Sequence, residues 1–211
     1  MEFLKTLNQK ADPAHAVLMV IDLQRGYWPP RPGHGGAAEV LPQLLPLIDA
    51  ARQVSLPIIY VRNSFGPWVS LPAWEERWLY SIPDAGQYVQ EGTPGLELAE
   101  GLGPRPGELV INKHFWSPFA HGPVDLVLRC RGVKTLLLTG GAVLGAIETT
   151  AKEAVVRGYY AVMVQDCIFP LEGPLGEVVY QYSQARLAQV VTARELMDVW
   201  TPPSPRLGRG G

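Results

Sequence analysis

The sequence predicts an α/β fold built on a parallel sheet with helices on both faces. Short apolar segments alternate along the chain with longer segments whose apolar residues recur at helical spacing, and this alternation is typical of parallel strands joined by right-handed crossovers. Residues 135–139 are apolar without alternation, which indicates a strand covered on both faces. With 211 residues, 47% of them hydrophobic, the chain can bury one large core.

Each predicted element has its own pattern. Residues 16–21 (AVLMVI) are continuously apolar and end at Asp22, whereas residues 39–54 place Leu41, Leu44 and Ile48 on one helical face. The predicted strands are residues 16–21, 57–61, 109–112, 135–139, 161–165 and a short one near 190. The predicted helices are residues 39–54, 124–131, 144–157, 175–184 and 193–199.

The segment 62–106 has weak periodicity and is predicted to be a loop with one short helix near residues 74–80. A loop of that length in a compact domain usually has a function. Its Trp68, Trp74 and Trp78 could wall a pocket or build an oligomer interface. Residues 1–200 are expected to form a single domain, and residues 201–211 a disordered tail.

Charge and composition exclude several classes of function. The net charge is −2 with scattered Lys and Arg residues, so we expect a small-molecule ligand and no nucleic-acid partner. We expect no membrane partner and a cytoplasmic location, because no signal-peptide core and no apolar run near ~18 residues is present. Cys130 and Cys167 fit neither a disulfide framework nor a metal site by spacing.

Three strand ends point to one site. Asp22, Lys113 and the segment 140–146 each follow a predicted strand, and ligands of open parallel sheets bind outside the carboxyl ends of the strands. A lysine beside a desolvated aspartate would keep it ionised or share its proton, as acid–base chemistry requires. A purely structural ion pair explains the same spacing equally well.

The segment 140–146 is predicted to be a glycine-rich turn followed by a helix. Gly140 and Gly141 permit a backbone conformation that bulkier residues resist, and the free N–H groups of a helix starting at Leu144 could hold an anion or an oxyanion. Residues 140–148 contain no Ser or Cys, and no Thr either. The turn therefore lacks a nucleophile.

Three motifs follow in order along the chain. Asp22 and Gln24 form an Asp-x-Gln after the first strand, Lys113 precedes a Ser-x-Phe element at residues 117–119, and residues 133–154 contain a glycine-rich turn and a helix. In these three motifs the chain resembles the isochorismatase-like superfamily, also called the cysteine hydrolase family. The resemblance implies a three-layer fold with a six-stranded, mostly parallel Rossmann-like sheet, a homo-oligomer, no cofactor, and hydrolysis of C–N bonds in small amides or ureides. It also implies an Asp–Lys-assisted thiolate and an oxyanion hole around a cis peptide, here between Gly141 and Ala142.

The sequence departs from that family where the thiolate belongs. Aligning residues 148–154 (ETTAKEA) with the family's helix places Ala146 at the position of the nucleophilic cysteine, and Val143 and Leu144 replace polar residues. True isochorismatases also lack the cysteine and use the aspartate as an acid on a vinyl ether, and Ala146 fits that branch by size. The element EGTPG at residues 91–95 instead resembles the amidase branch.

Asp22, Lys113 and Ala146 are thus the predicted catalytic positions. The predicted ligand-binding residues are Gln24, Tyr27, Trp28, Gly141 and Ala142. Cys167 could be a displaced thiol, although a free cysteine is usually a small core residue. His34, His114 and His121 lack the family's Asp-x-His metal arrangement, so no metal is expected.

Three hypotheses remain open from the sequence. The chain is a hydrolase-family protein with lost or altered amidase chemistry, a non-catalytic binding or assembly protein, or an aspartate-dependent vinyl-ether hydrolase. An engineered replacement of the cysteine at position 146 also stays open.

Overall fold

The computed structural model describes residues 3–27, 35–69, 71–74, 76 and 89–201. Six parallel strands form one sheet in the order β3-β2-β1-β4-β5-β6, which confirms the predicted α/β class. The strands are β1 Ala16–Ile21, β2 Ile58–Asn63, β3 Leu109–Lys113, β4 Thr135–Ala142, β5 Tyr160–Phe169 and β6 Gln189–Val191. The α-helices with assigned bounds are α1 Leu7–Lys10, α2 Ala37–Gln53, α3 Val124–Cys130, α4 Glu148–Val156, α5 Pro174–Arg186 and α6 Ala193–Trp200.

The core lies in two layers, one on each face of the sheet. On one face, Leu44 of α2 and Leu196 of α6 belong to the same buried cluster as alternate residues of β1. On the other face, Leu128 of α3 and Ala151 of α4 pack with the remaining residues of β1. Every residue of β1 is buried, because this central strand has a helical layer on both sides.

Two helix starts show how local sequence sets these elements. Glu39 accepts a hydrogen bond from the Gly36 backbone N–H at 3.0 Å, so α2 begins at Ala37, two residues before the predicted start. Thr192 and Glu195 form a reciprocal capping box at the start of α6, which satisfies N–H groups that would otherwise lack partners.

The glycine-rich segment differs from its prediction. Gly140 and Gly141 lie inside β4, which runs to Ala142 rather than ending at Thr139. The turn comes later, at Val143–Ile147, because Leu144 (φ −84°, ψ 128°) and Gly145 (φ 103°, ψ −93°) are not helical. The predicted helix start at Leu144 is therefore wrong, and α4 begins at Glu148.

Part of the predicted long loop is described. Phe65 pairs with Gln90 in an isolated parallel bridge, short 3-10 turns occur at Pro67–Val69 and Pro94–Leu96, and residues 72–74 and 76 are helical. The rest of the helix predicted near 74–80, with Trp78, lies outside the described residues, as do Trp28, His34 and residues 202–211. Within the described ranges, no helix is long and apolar enough to cross a membrane.

Candidate active site

A buried ion pair stands at the carboxyl edge of the sheet. Asp22 follows β1 directly, and Lys113 is the last residue of β3, on the far side of β2. The Lys113 ammonium donates to Asp22 Oδ2 at 2.8 Å and to the Phe115 carbonyl oxygen at 2.9 Å. Asp22 is 7% exposed and Lys113 1% exposed, so the pair is almost completely removed from water.

The backbone of Asp22 is held in an unusual conformation. Its φ is 57°, a left-handed value that costs most residues free energy but that aspartate and asparagine tolerate. The Asp22 N–H donates to the Val61 carbonyl at 2.8 Å, and the Gln24 N–H donates to the Asp22 carbonyl at 3.0 Å. These bonds fix the direction in which the carboxyl leaves β1.

The two oxygens of the Asp22 carboxyl differ. Oδ2 bonds to Lys113, whereas Oδ1 is buried without a hydrogen-bond partner among the described residues. The nearby Asn63 N–H donates to Gln24 Oε1 at 2.7 Å instead. Burial raises the pKa of Asp22 above its usual value, and the charge of Lys113 opposes only part of this effect. Oδ1 is therefore suited to carry or accept a proton.

Ala146 lies beside this carboxyl, with Gly141 between them. A Cβ added to Gly141 would stand 3.1 Å from the Asp22 Cβ and 3.4 Å from the Ala146 Cβ. The Ala146 methyl is buried, and its carbonyl accepts a hydrogen bond from Thr150 Oγ1 at 2.6 Å. The structure thus brings Asp22, Lys113, Gly141 and Ala146 together, and position 146 presents a methyl group to the carboxyl.

Aromatic rings lie at the same edge, and of these the sequence analysis singled out Trp74 but neither Phe115 nor Trp116. Trp116 is 49% exposed and lies over Gly145, where an added Cβ would be 3.5 Å from the indole ring. Trp74 meets Trp116 and Phe115 edge to face, with centroids 5.0 and 5.3 Å apart. The signal available in the sequence was position, because Phe115 and Trp116 follow Lys113 by two and three residues.

The predicted ligand-binding residues have mixed outcomes. Gln24 is completely buried, and its amide donates to the Asn63 and Leu96 carbonyls at 2.9 and 3.1 Å. The Gln24 side chain thus ties β2 to the loop before β3, and its contact with a ligand stays a prediction. The Tyr27 hydroxyl accepts a hydrogen bond from Asn63 Nδ2 at 2.9 Å, and Trp28 lies outside the described residues.

The predicted cis bond between Gly141 and Ala142 is wrong, since no described peptide bond is cis. Cis bonds outside proline cost about 3 kcal/mol, and here the segment continues the parallel pairing of β4, with Ala142 opposite Phe169. Ala142 thus belongs to the sheet instead of a separate turn.

The other candidate nucleophiles lie away from the ion pair or are engaged. Cys167 is buried in the cluster on the α2 face, whereas Ala146 belongs to the opposite cluster, so a displaced thiol at Cys167 is excluded. Burial and the charge of Asp166 also raise the pKa of the Cys167 thiol strongly. Ser117 Oγ donates to Glu153 at 3.2 Å. Cys130 is exposed on α3.

The described histidines are placed by local contacts. His114 Nδ1 lies 2.9 Å from the Ser64 carbonyl oxygen, and the His121 ring packs against Phe115. In the part of the chain that the structure describes, no three His, Cys, Asp or Glu side chains gather as metal ligands would.

Comparison with known proteins gives a consistent result. A family model for the isochorismatase domain matches residues 16–195. The ureidoacrylate amidohydrolase RutB of Methylobacterium radiotolerans is 30% identical over 173 aligned residues, covering 74% of this chain and 67% of that protein.

Solved structures match almost the whole chain. A cysteine hydrolase from Pseudomonas syringae pv. phaseolicola superposes with a TM-score of 0.78 at 23% identity, covering 90% of this chain and 93% of its own. An isochorismatase family protein from Desulfovibrio vulgaris gives a TM-score of 0.75 at 28% identity, covering 87% and 97%.

Proposed function

Because this chain belongs to the isochorismatase family of hydrolases, we propose that it binds a small amide or ureide beside Asp22 and Lys113 without cleaving it through a thioester. The observation that carries the proposal is the methyl group of Ala146 beside Asp22, where a Cβ added to Gly141 would stand 3.3 Å from Asp22 Oδ2 and 3.4 Å from the Ala146 Cβ. A methyl group cannot attack a carbonyl, so the covalent route needs a sulfur that this site lacks. The amide or ureide class is supported by the similarity to ureidoacrylate amidohydrolases.

The rest of the site supports ligand binding. Lys113 supplies a desolvated positive charge, and Asp22 Oδ1 has a free acceptor position among the described residues. An amide N–H could donate to Oδ1, because a buried acceptor without a partner gains most from a new hydrogen bond. Trp116 and Trp74 provide an apolar wall against which a planar amide can lie.

The test restores the missing atom. Ala146→Cys should create a thiol whose pKa is lowered by Lys113, with Asp22 placed to take its proton. Because Cys130 is exposed and would react with any thiol reagent, the substitution is made in a Cys130→Ser background. Labelling with iodoacetamide and ammonia release from ureidoacrylate are then measured for Cys130→Ser alone, for Cys130→Ser/Ala146→Cys, and for the latter with Asp22→Asn.

We expect no ammonia release from the native protein or from Cys130→Ser. The Cys130→Ser/Ala146→Cys protein should be labelled and should release ammonia slowly, since Val143 and Leu144 keep the turn apolar. Adding Asp22→Asn should abolish the release. Calorimetric titration of native protein with ureidoacrylate should give saturable binding. Ammonia release by the native protein would contradict the proposal.

A second candidate function is acid catalysis by Asp22 on a vinyl ether. It is favoured by one observation, the burial that raises the pKa of Asp22 and leaves Oδ1 without a partner among the described residues. A protonated Oδ1 would donate its proton to the vinyl carbon, water would add to the resulting cation, and the C–O bond would break to give a ketone and an alcohol. Pyruvate release from isochorismate tests it, and activity should fall as pH rises and Asp22 ionises.

We also propose a homo-oligomer, as the family resemblance implies. Leu175, Val178 and Tyr182 are exposed on one side of α5, and Val156 is exposed at the end of α4. Light scattering on the purified protein measures the subunit number directly, and Val178→Glu should lower it if this side of α5 forms the interface.

A further inference from the structure

A cleft of about 1030 Å³ lies at the amino-terminal end of the sheet, opposite the candidate active site. One wall is the segment around Phe3–Lys10, and the other is residues 184–189, which run from the last turn of α5 to the start of β6. The floor is the start of β5 at Tyr160, together with Lys134 just before β4. The cleft therefore shares no residue with the Asp22–Lys113 pair.

Positive charge dominates the lining of this cleft. Among the residues that the structure describes, its lining includes Lys5, Lys10, Lys134 and Arg186 and no Asp or Glu. The whole chain has 18 Lys and Arg against 20 Asp and Glu, so this grouping runs against the overall balance. Among the described residues, none of these four side chains takes part in an ion pair.

The polar side chains of the cleft add hydrogen-bond donors to its positive charges. Gln184 Oε1 accepts the Val190 N–H at 2.6 Å, and Gln189 Oε1 accepts from the Lys10 ammonium at 3.0 Å. The Tyr160 hydroxyl accepts the Leu4 N–H at 3.0 Å. Each of these oxygens already accepts one hydrogen bond, and the Gln184 and Gln189 amide N–H groups and the Tyr160 O–H can donate to an anion.

Lys10 is the central cation. Its side chain is half-buried, its ammonium lies 5.8 Å from the centroid of the Tyr160 ring, and burial lowers its pKa. The segment carrying it is anchored, because the Thr6 capping box starts α1 and Trp200 Nε1 donates to the Ala11 carbonyl at 2.8 Å. A fixed, partly desolvated cation without a carboxylate partner gains more from an added anion than a solvated surface lysine does.

From this arrangement we propose that the cleft is a second ligand site, which binds a small phosphorylated molecule carrying two or more negative charges. Phosphate oxygens would bond to Lys10, Lys134 and Arg186. The exposed Phe3 ring and the Tyr160 ring provide a surface for an attached aromatic or apolar group. The site is independent of the function proposed for the opposite end of the sheet.

The test measures binding of ATP, pyrophosphate and adenosine to the full-length native protein by calorimetry at low salt. ATP and pyrophosphate should bind with Kd values below about 1 mM, and their affinity should fall as salt is added. Uncharged adenosine should bind more weakly than either anion. Lys134→Gln/Arg186→Gln is the main variant, because neither side chain makes a hydrogen bond or ion pair to another described residue and folding should be unaffected. It should weaken binding at least ~10-fold, as expected for lost charge-assisted hydrogen bonds.

Lys10→Gln should weaken binding by a similar factor. Arg62→Gln is the charge-matched control, since Arg62 lies at the carboxyl end of β2, and it should leave the Kd within about twofold of native. The proposal is overturned if neither anion binds up to about 5 mM, or if Arg62→Gln weakens binding as much as the cleft variants do. Thermal unfolding of each variant checks that all are folded.

Discussion

Breaking the Asp22–Lys113 pair should destabilise the fold more than any surface charge change. Asp22→Asn removes one charge while keeping a residue that tolerates the left-handed φ of 57°, so backbone strain does not confuse the result. Lys113→Met removes the other charge and keeps a similar side-chain length. Each change leaves an unpaired group in a site where the partners are 7% and 1% exposed.

The expected cost is about 3–5 kcal/mol of unfolding free energy for each single variant, the range for removing one partner of a buried ion pair. In a chain of this size that lowers Tm by roughly 6–20 °C. The double variant Asp22→Asn/Lys113→Met should lie within about 1.5 kcal/mol of native protein, because no charge is left buried. Arg194→Met is the control, since the Arg194–Asp198 pair is fully at the surface and should cost less than about 0.5 kcal/mol.

The pH dependence adds a second readout. The folded-state pKa of Asp22 is raised from 3.8 by burial, so folded protein holds this proton at pH values where the unfolded chain has released it. Asp22 therefore disfavours folding above its folded pKa, and this penalty disappears as pH falls. Lys113→Met removes the opposing charge, so the stability of this variant should rise more steeply as pH falls than that of native protein.

Urea unfolding of native protein and the four variants at several pH values provides the measurement. Single-variant costs below about 1 kcal/mol, or a double variant equal to the sum of the two singles, would refute the buried-pair reasoning.

Three further predictions concern other parts of the chain. Gly140→Ala should abolish folding, because the φ of Gly140 is 99° and an added Cβ would overlap the Ile21 carbonyl oxygen. Gly107→Ala is the control, since Gly107 has a similar φ of 95° but nothing within reach of an added Cβ, and it should cost only about 1–2 kcal/mol of unfolding free energy. Soluble expression and circular dichroism of the two variants provide the comparison. Arg52→Met should cost about 2 kcal/mol at pH 7, since Arg52 binds both oxygens of Glu108 at 2.8 and 2.9 Å. Burial raises the pKa of Glu108, but hydrogen bonds from Arg52 outweigh burial and lower this pKa below its usual value. The stability difference between native protein and Arg52→Met, measured by urea unfolding, should therefore shrink as pH falls. A difference that stays constant with pH would contradict this role of the ion pair. Ellman's reagent should titrate one thiol rapidly in native protein, the exposed Cys130, and the buried Cys167 only in denaturant; two rapid thiols would show that the Cys167 face opens.

The parallel strands were predictable because their residue pattern reflects burial on both faces. β1 and the first half of β4 are buried on both faces, so their residues are continuously apolar. This pattern can be recognised in the sequence without knowing which strands or helices pack against them. The same logic placed Asp22 and Lys113 at one edge, since the carboxyl ends of parallel strands must meet there.

The turn and the roles of side chains around it depend on contacts distant in sequence. Gly140 stays in the sheet because the lack of a side chain lets the Ile21 backbone approach closely. This contact depends on the position of β1, so the residues around 140 do not predict it. Gln24 becomes structural only because β2 brings Asn63 to it. Trp116 covers Gly145, although the two residues are 29 positions apart in the sequence. A periodic pattern within one helix or strand cannot predict such a contact.

The close approach of β1 and β4 decides by which route a ligand can reach Asp22. At this seam Thr139 Oγ1 donates to the Met19 carbonyl at 2.9 Å, and the Gly140 backbone lies directly against Ile21, so the strands cannot separate without losing main-chain contacts. Among the described residues, the rings of Trp74, Phe115 and Trp116 also lie at this edge, and each of their edge-to-face contacts is worth only about 0.5–1.5 kcal/mol beyond burial. We therefore expect a ligand that binds beside Asp22, as proposed, to enter past the Trp116 ring. The contact between β1 and β4 should stay closed.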